Sequence, residues 1–114
     1  MSVLDKEVVD GIALDENENG IRLLITDHLD WSDEYSHLVA LQEKINSYIG
    51  FCEGKEYNEI YKDALIEYAI IEIHFKNEPT AKAMDFLKQV QQQLNELGIA
   101  IECHISWGVN KWKL

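Results

Sequence analysis

The sequence predicts an α+β two-layer sandwich, a four-stranded sheet with two helices on one face, and three observations carry that expectation. Leu38 to Cys52 and Ala83 to Leu97 repeat apolar residues at helical spacing, so each has one stripe that must find a sheet face. Ala69 to Phe75 and Ile99 to Trp107 alternate with period two, as half-buried strands do. Two further apolar runs, joined by a segment ending in Asn19 and Gly20, read as a β-hairpin ahead of the first helix. The element order is β-β-α-β-α-β, in a single domain over residues 1–108 followed by a tail over 109–114.

The hairpin strands are Val8 to Leu14 and Ile21 to Leu29, with DENENG supplying turn residues between them. In the second strand Ile21, Leu23 and Ile25 face one way, and Arg22, Thr26 and His28 the other. DHLDWSDE breaks the alternation, and its Asp30, Ser32 and Asp33 are candidates to cap the first helix. The stripe of that helix is Leu38, Leu41, Ile45, Tyr48 and Cys52, while Gln42, Glu43, Lys44, Asn46 and Ser47 fall on the solvated arc. Gly54 is a natural stop, and residues 54–63 fit either a further helical turn or an ordered loop.

The third strand, Leu65 to Lys76, points Ala69, Ile71, Ile73 and Phe75 to the helices, and Ile66, Tyr68, Ile70, Glu72 and His74 outward. Pro79 suits the first turn of the second helix, whose stripe is Ala83, Phe86, Leu87, Val90, Leu94 and Leu97; Gly98 ends it at a left-handed position. In the last strand Ile99, Ile101, Cys103, Ile105 and Trp107 alternate with Ala100, Glu102, His104 and Ser106.

Composition narrows the functional classes. A formal charge of −11 repels phosphate backbones and anionic lipid, so no nucleic acid and no membrane surface is expected as a partner; a basic protein or a divalent cation suits the sign. Neither a secretory signal nor a membrane span is visible, which points to the cytoplasm, where Cys52 and Cys103 stay reduced as packing residues. Gly-rich phosphate loops, GxSxG elbows, HExxH helices and EF-hand loops are all missing, so no cofactor is expected and nothing argues strongly for an enzyme.

The segments VVDGIALDENENGIRLLITDHLDW and HLVALQEKINSYIGF resemble a family of small bacterial proteins catalogued only as a domain of unknown function. The likeness lies in a Val-Asp-x-Ile start, an Asp-His-Leu-x-Trp segment (Asp27, His28, Leu29, Trp31) and a Leu-Gln-x-Lys-Ile-Asn-x-Tyr helix (Leu41, Gln42, Lys44, Ile45, Asn46, Tyr48). It covers the first half of the chain well and continues more loosely through the second helix. It implies no activity.

The paired pentapeptides IEIHF and IECHI set Glu72 and His74 on one face of the third strand, and Glu102 and His104 on one face of the fourth. If the strands are parallel and in register, these four side chains lie about 5 Å apart across the ladder, close enough to share a Zn²⁺ or similar ion, with His28 as a further imidazole. The competing reading is a solvated sheet face, on which Glu and His are ordinary. In DHLDW an Asp27–His28 acid–base pair competes with a plainer reading, in which an Asp caps the helix and Trp31 covers the core edge. An apolar surplus on the outer face, at Leu24, Ile66, Tyr68 and Ile70, calls for a cover, either a second copy of the chain or the tail with Trp112. The leading expectation is therefore a small acidic protein-binding domain that forms a homodimer through the outer sheet face. The alternatives are a metal-binding protein or metalloenzyme at Glu72, His74, Glu102 and His104, and an acidic immunity or inhibitor protein for a basic toxin.

Overall fold

A computed structural model describes residues 3–4, 8–15, 19–62 and 65–105, together with the backbone of Lys111–Lys113. The hairpin strands are β1 (Gly11–Leu14) and β2 (Gly20–Asp27), followed by helix α1 (Glu34–Glu53), strand β3 (Tyr68–Phe75), helix α2 (Ala81–Leu94) and strand β4 (Ile99–Ile105). The expected α+β order and its four strands are present. Residues Lys111–Lys113, in the stretch read from the sequence as a tail, add a short strand β5. Spatial order follows chain order, β1-β2-β3-β4-β5, with the β2–β3 and β3–β4 pairs parallel and both outer pairs antiparallel.

Each parallel pair is linked by a helix, as parallel neighbours require. Both helices cover one face. Ile21, Leu23 and Ile25 of β2, Ile71, Ile73 and Phe75 of β3, and Ile101 and Cys103 of β4 are wholly buried against Leu41, Ile45 and Tyr48 of α1 and Ala83 and Leu87 of α2. The odd-numbered positions of β2, β3 and β4 therefore make the core, and the even-numbered ones form the opposite face of the sheet.

The helix ends follow local chemistry. Asp33 caps α1, its carboxylate accepting from the Ser36 amide at 3.2 Å. Thr80 caps α2, its hydroxyl accepting from Ala83 N–H at 3.1 Å, so Pro79 precedes the cap instead of opening the helix. The α2 backbone tightens into a 3₁₀ turn over Asn95–Leu97 before Gly98 takes φ +70°. The tighter turn rotates Leu97 off the expected stripe, and it is 49% exposed. Glu56–Glu59 forms another 3₁₀ turn.

Three other expectations need correction. Lys44 is not on the solvated arc: it is wholly buried, with its ammonium 2.9 Å from Asp10 Oδ1 and donating to the Val8 carbonyl. A charge can sit there because the segment before β1 brings a carboxylate to it, a contact 34 residues away in sequence. Ile66 lies ahead of β3 and packs against the core, lining a small cavity with Cys52 and Tyr57. Period-two alternation does not extend back to it. His28 lies beyond the end of β2 and is exposed, so it does not share the outer face of that strand.

Candidate functional site

The β3–β4 register sets Glu72 opposite Glu102 and His74 opposite His104, all at even positions on the face away from the helices. Position 72 also pairs with Leu24 of β2, and position 74 with Thr26. Parallel pairing without offset is what makes the repeated pentapeptides converge. A shift of one residue would have turned one set into the core.

The Glu72 carboxylate is the hub. Its Oε1 lies 3.4 Å from His104 Nε2, 3.9 Å from His74 Nε2 and 3.3 Å from the Arg22 guanidinium. Glu102, whose side chain is 1% exposed, reaches His104 Nε2 at 2.9 Å and Arg22 at 3.3 Å. Arg22 is held in turn by Asp15 at 2.7 Å, and that hydrogen bond, ahead of the coulombic pull of Glu102 and Glu72, raises the guanidinium above its ordinary value. The imidazoles of His74 and His104 stack with centroids 4.4 Å apart and planes 2° from parallel. Burial, then the neighbouring His104, lowers the His74 pKa from its ordinary value and favours the neutral ring, whose lone pair can ligate.

Glu72, His74 and His104 each offer one donor atom, and the three atoms lie within 4.8 Å of one another. A tetrahedral ion with bonds near 2.0–2.1 Å wants its donors roughly 3.3 Å apart, so modest side-chain rotation closes the set. Two imidazoles and one carboxylate are the donors of open catalytic zinc sites and of non-haem iron sites. Glu102 stands beside the group, its Oε1 2.9 Å from His104 Nε2, the same ring nitrogen that faces Glu72. Exposed His28 is not among these donors.

Much of the apolar surplus on the outer face is covered within the chain. The Tyr68 ring lies over Gly20, where a Cβ would come 2.2 Å from it, and its hydroxyl donates to Asp15. Ile70, between Arg22 and Ala100 in register, is only 9% exposed. Leu24 stays half-buried beside Gly11. The Trp112 side chain lies outside the described residues; its backbone pairs with Cys103. Burial and adjacent acidic residues push the thiols up, Cys52 to about 11 and Cys103 to about 12, so neither is a ready nucleophile.

Asp27 pairs with His37, not with its neighbour His28. His37 Nε2 lies 2.6 Å from Asp27 Oδ2, its Nδ1 lies 2.9 Å from the Asp30 carbonyl, and Trp31 stacks on the ring at 3.6 Å. Both ring nitrogens are engaged and the pair is buried, which suits a strand-to-helix clasp better than acid–base work. The signal for His37 was its place one turn upstream of Leu41, on the same stripe. Arg22 and Asp15 carried no local signal.

A protein-family model matches residues 1–107. The chain belongs to the family of unknown function DUF6572. In this DUF6572 chain the matched region spans β1 to β4 and both helices, and so contains the whole Glu/His cluster. Comparison with curated proteins and with solved structures gives no significant match. Among the described residues, no helix is long and apolar enough to cross a membrane.

Proposed function

We propose that this domain binds a divalent transition metal on its outer sheet face through Glu72, His74 and His104, beside the buried Glu102. The observation that carries the reading is the convergence of three donors within 4.8 Å on adjacent strands. Mixed imidazole and carboxylate donors suit Zn²⁺ or Fe²⁺ better than Ca²⁺ or Mg²⁺, which take oxygen ligands. Arg22 is the competitor for Glu72, since a guanidinium shared between two carboxylates also satisfies this face.

Elemental analysis of chain purified without a polyhistidine tag decides between them. About one transition metal per chain, lost in His74→Ala and in His104→Ala, is the expected result. Chain that carries no metal and takes up neither Zn²⁺ nor Fe²⁺ at micromolar concentration sinks the reading.

A second reading, self-association through the same face, has one observation in its favour: Leu24 stays partly exposed in an apolar groove beside Gly11, Ile12 and Ala13. Light scattering on wild type and Leu24→Glu tests it. A dimer that the substitution dissociates supports it, and a monomer in both samples removes it.

A further inference from the structure

The groove over Leu24 has a volume of about 610 Å³, and two of its lining residues, Glu72 and His74, are also proposed metal donors. Its other walls are mainly apolar: Gly11, Ile12 and Ala13 from β1, and Leu24 from β2. Arg22 and Thr26 supply the remaining polar atoms. This is the make-up of a small-molecule site, an apolar trough of a few hundred Å³ with polar groups along its β2–β3 side. Three protein donors leave at least one coordination position for an outside ligand, and Glu72 offsets only one of the two charges of a divalent ion.

We infer that the groove takes the apolar body of a small free carboxylic acid whose carboxylate completes the coordination of a metal held by Glu72, His74 and His104. The inference rests on the metal reading above. The occupant follows from the lining: a metal-directed anionic head fits the Glu72–His74 side, and a hydrocarbon body fits the stretch along β1 and β2. Polar molecules of the same size would leave their hydrogen-bonding groups against Ala13 and Leu24 without partners.

The test is calorimetric titration of the full chain, Zn²⁺-loaded and Zn²⁺-free, with sodium octanoate and sodium acetate. Octanoate is expected to bind the zinc-loaded chain at least about tenfold tighter than acetate, since burying two of its methylenes already gives that ratio. It is also expected to weaken at least about tenfold without zinc. Ala13→Trp, at an exposed strand position, obstructs the groove and is expected to weaken octanoate binding at least about tenfold while zinc affinity stays within about twofold. Zinc uptake with equal octanoate and acetate affinities overturns this inference and leaves the metal site standing. Octanoate binding that ignores zinc, or that survives Ala13→Trp unchanged, also overturns it. Failure to bind zinc at all removes both readings.

Discussion

Lys44 is a charged residue that folding places in the core, and its surroundings show the conditions for that. Its ammonium meets Asp10 at 2.9 Å and the Val8 carbonyl, and lies 5.3 Å from the Tyr48 ring centroid. Tyr48 completes the arrangement, donating to the Leu24 carbonyl at 2.5 Å and accepting from Asp10 N–H at 2.8 Å. Removing one partner strands the other charge, so Lys44→Ala is expected to cost about 3–5 kcal/mol in urea unfolding. Asp10→Asn with Lys44→Met should lose less than the sum of the single changes, because both charges go together. His74 gives a prediction in pH. Its folded-state pKa lies below the ordinary 6.5, so the unfolded chain takes the proton first, and the stability contribution present above 6.5 is lost as pH falls toward the folded value. Metal-free wild type should therefore lose more stability between pH 7 and pH 5.5 than His74→Phe does. An equal loss would show that His74 does not contribute.

At the scale of elements, the β2–β3 pairing is held at its start by a ring on a glycine. Gly20 lies opposite Tyr68 in the parallel register, and the ring covers it on the way to Asp15. Gly20→Ala is expected to push the ring off that seat and to cost about 1–3 kcal/mol by overpacking. In Tyr68→Ala the same glycine change should cost much less; additive losses would count against the contact. Most of each helix stripe, the Asp33 cap and the inward face of β3 were legible because each depends on residues within a turn or a strand of one another; Leu97 falls off its stripe, and His37, not Leu38, is the buried residue at the start of α1. Lys44 was misread for the complementary reason, since a helical wheel sees position but not a distant Asp10. The start of β3 was misplaced because Leu65, Ile66 and Tyr68 continue an apolar run whose alternation gives no sign of where pairing begins.

At the scale of the whole molecule, the proposed metal binding would couple to folding. An ion that binds only the folded sheet stabilises it by about 2.7 kcal/mol at a free concentration 100 times its Kd. Zn²⁺ should accordingly raise the melting temperature of wild type, EDTA should reverse the rise, and His74→Ala should show none; a zinc-independent melt would argue for the ion-pair reading of Arg22. The sequence by itself determined the β-β-α-β-α-β order, the inward faces of β2, β3 and β4, and the placing of Glu72, His74, Glu102 and His104 on outward positions, because alternation and helical period are local properties of the chain. Tertiary structure decided that β3 and β4 are in-register parallel neighbours, that Arg22 and Asp15 reach the cluster, that Asp27 finds His37, and that Lys44 is buried. Each of those depends on how separate elements are placed against one another, by strand pairing on the outer face and by helix packing on the inner one, which a local pattern does not record.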